Sequence, residues 1–216
     1  MTDRLSDLTK RMENKYIILT AQVVSMLFSP FHMPVMAFIV LLFFSYMSLT
    51  PFLYKAFVLG LVYVFTILLP RLSIFIYRKL NGWSRFHLGY RANRYVPYVL
   101  SITSYASLLY IMRSINMPRF TLGIIAGALS VQVVCAVLNN WVKISTHAAA
   151  GGGVVGALVA FSYIFNFNPL GWLCIAILLC GLVGTARLIL RQHQLLDVGV
   201  GILVGILCGF FSILLV

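Results

Sequence analysis

Residues 184–201 of this chain read GTARLILRQHQLLDVGVG, with two arginines, a histidine and an aspartate in a short polar stretch. On either side the sequence is apolar over about 20 residues, the length that a helix needs to cross a bilayer. These apolar runs, 168–188 and 197–216, predict two spanning helices joined by a polar connection. Ionisable groups at membrane depth cost about 2.5–3.5 kcal/mol each on insertion. We therefore expect the four ionisable side chains to have a function.

The composition indicates a membrane protein. Of the 216 residues, 62% are hydrophobic and 9% are charged, with a mean hydropathy of +1.01, whereas a soluble domain carries about 25% charged residues. The sequence predicts an all-α integral membrane bundle, with an amphipathic, interfacial segment over 1–30 and a transmembrane domain over 31–216. The net charge of +12 fits lysines and arginines that orient spanning helices or attract anionic headgroups.

Apolar runs of helical length predict six or seven spanning helices. Pro30 and Pro34 are expected to break the first helix. The candidate span that follows them is short, so six spans with an N-terminal interfacial helix fit as well as seven. The candidate spans are 34–49, 53–77, 96–113, 119–142, 148–165, 168–188 and 197–216.

Three polar segments interrupt the apolar sequence, at 78–98, 139–147 and 184–201. Two candidate spans separate the first segment from the second, and two separate the second from the third. An even number of crossings returns the chain to the same side of a bilayer. All three segments are therefore predicted to meet at one interface and to form one site.

The third polar segment has the spacing of a phosphate site. His193 and Asp197 are four residues apart and so share a helix face, where a carboxylate fixes the imidazole tautomer. The other ring nitrogen is then suited to act as a nucleophile or base. Arg187 precedes them, and guanidinium groups suit phosphate oxygens. This combination predicts a phosphoryl group held against a histidine nucleophile.

The second polar segment adds a hydroxyl and another histidine. Ser145 is suited to hydrogen-bond a phosphate oxygen, and the backbone from Thr146 onward is expected to open a helix whose N-terminus attracts anions. His147 is suited to protonate a leaving alkoxide. The glycines at 151–153 allow close helix packing in a bilayer.

Carboxylates are almost absent beyond the N-terminus. The four in the chain are Asp3, Asp7, Glu13 and Asp197. This scarcity argues against carboxylate-pair catalysis and against a Ca²⁺ or Mg²⁺ site, so we expect neither a metal nor another cofactor. The four cysteines lie in apolar runs without metal-ligand spacing and are interpreted as small buried hydrophobes. Without a polar domain, nucleic acid is not an expected partner.

These motifs resemble the three signatures of the type 2 phosphatidic acid phosphatases, a superfamily related to the vanadium haloperoxidases. The signatures are K-x6-RP, PSGH and SR-x5-H-x3-D, and the resemblance covers roughly residues 79–205. The third signature matches Arg187-x5-His193-x3-Asp197, with Ala186 in place of serine. The second matches ISTH at 144–147, which keeps the serine and the histidine.

The first signature is degenerate. Arg94 matches its arginine, with His87 in place of lysine and Tyr95 in place of proline, and Arg91 is the competing choice for the arginine. One cation of the family pattern is therefore missing. Candidate replacements are Lys79, Arg85 and Lys143.

The resemblance also implies roles for the site residues. His193 would attack phosphorus to give a phosphohistidine, oriented by Asp197. His147 would protonate the leaving oxygen and then activate water. The residues implied to bind the phosphoryl oxygens are Arg187, Arg94, Ser145, Thr146 and Arg91.

The predicted function is metal-independent hydrolysis of a membrane lipid phosphate or pyrophosphate, by a bacterial phosphatase of the inner (plasma) membrane. Undecaprenyl pyrophosphate is the favoured substrate, with phosphatidylglycerophosphate, phosphatidic acid and lipid A phosphates as alternatives. A transporter or channel and a catalytically inactive family member are the competing interpretations. Polar residues at one end of the spans argue against transport, because transport sites tend to lie near the midplane.

Simpler structural interpretations exist for several of these side chains. Asp197 and Ser145 are common N-cap residues, and Arg91 and Arg94 also suit a positively charged loop. His32, between two prolines, is interpreted as an interfacial residue.

Overall fold

The computed structural model describes residues 2–81 and 95–216, with side chains from residue 15 onward. In these ranges the chain forms nine α-helices, with a short 3₁₀ turn at Tyr46–Leu49 and a π-helical turn at Val64–Leu68. The α-helices are α1 (Thr2–Leu27), α2 (Met33–Phe44), α3 (Phe52–Tyr63), α4 (Leu69–Leu80), α5 (Tyr95–Ser114), α6 (Arg119–Leu138), α7 (Thr146–Phe165), α8 (Leu170–Ile189) and α9 (Leu195–Leu215).

Six helical segments are long and apolar enough to cross a membrane, which confirms the predicted all-α membrane bundle. Helices α3 and α4 form one of them, Phe52–Leu80, and α5 to α9 form the others. Their bounds follow the apolar runs of the sequence closely. The largest difference is at the predicted span 119–142, where α6 ends at Leu138 because the chain turns at Asn139 and Asn140.

The early part of the chain explains why the sequence did not decide between six and seven spanning helices. Helix α1 ends before Pro30, and α2 begins with Pro34 in its first turn. With 12 residues, α2 is about 18 Å long, too short to span a bilayer alone. Its ends are nevertheless far apart in the bundle: His32 precedes α2 and contacts Arg71 of α4, whereas the last residue of α2 packs on Trp172 in the first turn of α8.

A proline shapes the first long span. Pro70 lies in the first turn of α4, where its missing N–H breaks the helical hydrogen-bond pattern, and the π-helical turn comes directly before it. The backbone there is satisfied locally, since the hydroxyl of Ser104 in α5 donates to the carbonyl oxygen of Phe65 at 2.5 Å. Such polar compensation is what a kinked helix needs in a bilayer. Arg71 follows immediately after this irregularity.

The end of the bundle that includes the start of α6 and the end of α7 is packed by apolar and aromatic side chains. A buried cluster joins α2, α3, α5 and α6 and includes Phe38, Val58 and Leu108. Tyr46 lies 6.0 Å from both Phe120 and Phe165, measured between ring centroids. In a bilayer such packing stabilises mainly through van der Waals contact, because lipid tails are as apolar as the side chains.

Helices α7 and α9 are in backbone contact, because glycines face the neighbouring helix. A Cβ atom at Gly205 of α9 would lie 2.0 Å from the carbonyl oxygen of Ala149, and one at Gly201 would lie 2.8 Å from that of Ser145. The backbone N–H of Ser145 also donates to the carbonyl oxygen of Asp197 at 3.3 Å. These contacts bring the N-terminal ends of α7 and α9 together, and with them two of the three polar segments.

Replacing Gly205 by alanine is expected to force α7 and α9 apart. We expect the free energy of unfolding to fall by about 1–3 kcal/mol, the usual effect of overpacking, as measured by thermal unfolding in detergent. The matched control is Gly199→Ala in the same helix, where no described atom lies within 4 Å of the added Cβ. Equal stability of the two variants would contradict the importance of this contact.

Candidate active site

A cavity of about 710 Å³ lies among the helices that bring the polar segments together. Its volume is in the range of pockets that hold small ligands, about 300–1,000 Å³. The described side chains that line it include two arginines and no carboxylate, which favours an anionic ligand. Its polar lining residues are Gln22, Ser25, Ser29, Arg71, Tyr98, Ser101, Gln132, Thr146, His147, Arg187, Gln192 and His193. A second recess of about 430 Å³ between α6 and α9 is lined by apolar side chains and two serines, so the ionisable groups single out the larger cavity.

The geometry of His193 assigns its tautomer. Its Nδ1 atom lies 3.2 Å from the carbonyl oxygen of Lys143 and 3.6 Å from Oδ2 of Asp197. A carbonyl oxygen can only accept a hydrogen bond, so Nδ1 carries the proton and donates it. In the neutral ring Nε2 then holds the lone pair. This is the arrangement that a nucleophilic or basic imidazole requires.

The end of α8 sets the position of His193. Arg191 has the left-handed backbone conformation, with φ at 51°, and its N–H donates to the carbonyl oxygen of Leu188. The N–H of Gln192 donates to the carbonyl oxygen of Arg187 at 3.3 Å. Together these bonds form a Schellman motif that terminates the helix. The turn brings His193 to the cavity wall two residues later, while the side chain of Arg191 is exposed.

Asp197 makes several contacts at the start of α9. Its Oδ2 atom accepts a hydrogen bond from the backbone N–H of Gln194 at 2.9 Å, and the Gln194 side chain in turn accepts from the backbone of Asp197. This is a capping box in which Gln194 is the N-cap residue and Asp197 is the third helical residue. The interpretation of Asp197 as the N-cap was therefore wrong by three residues. The same carboxylate also faces His193 across 3.6 Å.

Ser145 is the N-cap of α7. Its hydroxyl oxygen accepts a hydrogen bond from the backbone N–H of Ala148 at 3.4 Å, and its side chain is fully buried. The next two residues, Thr146 and His147, line the cavity, whereas Ser145 is not among its described lining residues. Its contacts are thus those of a helix cap, and its role in phosphate binding stays a prediction.

The N-terminal helix contributes to the site as well. Nη1 of Arg187 donates a hydrogen bond to the hydroxyl oxygen of Ser25 in α1 at 2.9 Å, and Gln22 and Met26 of the same helix line the cavity. A hydrogen bond that involves a charged group contributes about 1.5–3 kcal/mol, enough to hold the guanidinium in one orientation. Residues between 22 and 30 of the predicted interfacial segment therefore form part of the cavity wall.

Most of the predicted site residues that the structure describes come together. His193, His147, Thr146 and Arg187 line one cavity, with Asp197 behind His193. The predicted phosphate ligands Arg91 and Arg94 lie outside the described residues, as do Arg85 and His87. The catalytic and binding roles of all these residues stay predictions.

Sequence reasoning missed several polar residues of the cavity. Arg71 lies within the predicted span 53–77 and Gln132 within 119–142, so the cost of a polar group in an apolar run was a signal for both. Ser25 had no such signal, because serine is common in membrane helices. Of the three candidate replacements for the missing lysine, Lys143 contacts His193 through its backbone.

Residues 100–216, more than half of the chain, match the family model of the PAP2 superfamily. The chain therefore belongs to this superfamily, which supports a phosphatase-type activity. The matched range contains His147, Arg187, His193 and Asp197 and begins after the degenerate first signature. Comparison with curated proteins and with solved structures gave no match.

Removing the anchor of Arg187 is expected to lower phosphatase activity without unfolding the protein. For Ser25→Ala we expect kcat/KM to fall about ten-fold or more, because a charged hydrogen bond that orients the guanidinium is lost. Release of p-nitrophenol from p-nitrophenyl phosphate in detergent measures the effect. The matched control is Thr20→Ala in α1, whose hydroxyl donates to the carbonyl oxygen of Ile17 in its own helix. Identical kinetics for the two variants would show that Ser25 does not orient Arg187.

Proposed function

We propose that the protein hydrolyses a phosphorylated membrane lipid through a phosphohistidine at His193, without a metal ion. The observation that carries the proposal is the tautomer of His193, whose Nδ1 proton is directed at the Lys143 carbonyl and Asp197. The ring therefore presents Nε2 as its basic nitrogen, in a cavity that also contains Arg187 and His147. A nucleophile, a second imidazole and a fixed cation are the groups that phosphoryl transfer needs.

The first step transfers the phosphoryl group to the enzyme. Nε2 of His193 attacks phosphorus, the bond from phosphorus to the leaving oxygen breaks, and its electron pair stays on that oxygen. His147 donates a proton to the leaving oxygen, and general acid catalysis of this kind contributes about 10²–10⁴-fold in rate. Asp197 and the Lys143 carbonyl oxygen stabilise the positive charge on the His193 ring.

The second step releases phosphate. His147, now unprotonated, takes a proton from water, the water oxygen attacks phosphorus, and the bond to Nε2 of His193 breaks. Arg187 and the N-terminal turn of α7 at Thr146 hold the phosphoryl oxygens, where fixed donors stabilise the charge of the transition state. We propose Arg94 or Arg91 as a further ligand and Ser145 as support for this turn.

The location of the cavity supports a lipid substrate. It lies where α7 and α9 begin and α8 ends, and at such a depth a headgroup enters laterally from one leaflet. We favour undecaprenyl pyrophosphate in a bacterial inner membrane, with phosphatidylglycerophosphate, phosphatidic acid and lipid A phosphates as alternatives. The clustering at helix ends argues against a transporter or channel, whose sites tend to lie near the midplane, and the paired histidines argue against an inactive family member.

The two histidines are expected to give different defects. His193→Ala should abolish turnover, because the nucleophile is lost. His147→Ala should still accept phosphate from p-nitrophenyl phosphate, whose leaving group needs no proton, but should hydrolyse the intermediate slowly. Acid-labile, base-stable phosphoenzyme on a gel, labelled with ³²P, distinguishes the variants. Phosphoenzyme on His193→Ala would refute the mechanism, and unchanged thermal unfolding in detergent controls for folding.

Removal of divalent cations is expected to leave the activity unchanged. The chain has one carboxylate after residue 13, Asp197, and oxygen ligands of this type are what Mg²⁺ and Ca²⁺ require. Phosphate release from phosphatidic acid in detergent should therefore be the same within error with and without EDTA. Activity that is lost in EDTA and restored by Mg²⁺ would overturn the metal-independent mechanism.

A further inference from the structure

A second arginine lines the cavity and has an anchor of its own. Nη2 of Arg71 donates a hydrogen bond to Nε2 of His32 at 3.0 Å. Nδ1 of His32 lies 2.9 Å from the carbonyl oxygen of Met26 and 3.0 Å from the hydroxyl oxygen of Ser29. A guanidinium only donates and a carbonyl only accepts, so His32 carries its proton on Nδ1 and serves as an acceptor for Arg71. His32 is therefore more than an interfacial residue, because it orients a cation of the cavity.

The two arginines are anchored at the end of α1 and in the turn that follows it. Ser25 holds Arg187, and Ser29, four residues later, belongs to the network that holds Arg71. Ser29 lies two residues beyond the end of α1, and both serines line the cavity. No described side chain with a carboxylate lines the cavity to neutralise either cation.

A buried amide adds a further donor to this cavity. Gln132 of α6 lines the cavity and is 8% exposed. Its side chain faces the Tyr105 hydroxyl, and within the described part of the chain the amide nitrogen makes no hydrogen bond of normal geometry. A buried donor without a partner is unfavourable unless a ligand or water satisfies it. The cavity thus offers a cation and a donor beyond those that hold a single phosphoryl group at His193.

The simpler interpretation of Arg71 is an arginine near a span end that extends towards the headgroups. Such a side chain needs no anchor on another helix, whereas Arg71 is fixed by His32. Among the described residues this is its one hydrogen bond, and a guanidinium has five N–H donors. Donors therefore remain for a ligand that occupies the cavity.

We propose that Arg71, oriented by His32, binds the second phosphate of a lipid diphosphate while His193 attacks the terminal one. This inference rests on the proposed function. When the bond from the terminal phosphorus to the bridging oxygen breaks, the electron pair stays on that oxygen, which belongs to the phosphate retained on the lipid. Arg71 binds this phosphate and stabilises the charge that it gains. A monophosphate of the same lipid leaves Arg71 without a ligand.

The test compares two substrates that differ by one phosphate, farnesyl diphosphate and farnesyl monophosphate, in detergent with the full-length protein. Arg71→Gln is expected to lower kcat/KM for the diphosphate about ten- to hundred-fold, the effect of losing a charged hydrogen bond. The monophosphate should be hydrolysed as before. Arg71→Lys should recover part of the loss, because it keeps the charge but not the fork of donors.

The control variant is Arg113→Gln, which makes the same change in charge in the last turn of α5 and should leave both substrates unaffected. If Arg71→Gln lowers kcat/KM equally for both substrates, or for neither, the second subsite is refuted. If the wild type releases phosphate from neither substrate, the proposed function fails instead. Should Arg71→Gln not fold, His32→Gln replaces it. This variant is expected to lower kcat/KM for the diphosphate selectively. An equal loss for both substrates, or no loss, would refute the subsite.

Discussion

The structure depends on the backbone contact between α7 and α9. Glycines at 201 and 205 allow the two helices to approach until carbonyl oxygens of α7 touch the backbone of α9. The same contact sets the N–H of Ser145 against the carbonyl oxygen of Asp197. Thr146 and His147 directly follow Ser145, and His193 lies four residues before Asp197. The approach of the two helices therefore also assembles the site.

Helix termini supply most of the chemistry in this apolar chain. The Schellman turn at Arg191 ends α8, the capping box of Gln194 and Asp197 starts α9, and Ser145 caps α7. Each of these devices satisfies backbone groups that a bilayer would leave without partners. Polar side chains are needed at such termini in any case, and a catalytic role for Asp197 is therefore compatible with its structural one.

The N-terminal helix connects the two cations of the cavity to the rest of the bundle. Ser25 orients Arg187, and the turn at Ser29 and His32 orients Arg71. These anchors come from a part of the chain outside the range that matches the PAP2 superfamily, which begins at residue 100. The family-matched helices thus carry the two histidines and Arg187, while the preceding segment supplies Arg71 and the side chains that hold both arginines.

The sequence by itself determined the helical membrane fold, the approximate bounds of the spans and the pairing of His193 with Asp197. These features follow from local rules, because the length of an apolar run and a separation of four residues both depend on neighbours in the chain. The predicted basis of the pairing was nevertheless wrong, since His193 precedes α9 and meets Asp197 across the N-cap of the helix and not on a helix face. Only the tertiary structure decided that Ser25 holds Arg187 and that Arg71 and Gln132 face the same cavity as His147. Contacts between residues far apart in the chain depend on how the helices pack, and a serine or a glutamine in an apolar run does not reveal which neighbour it will meet.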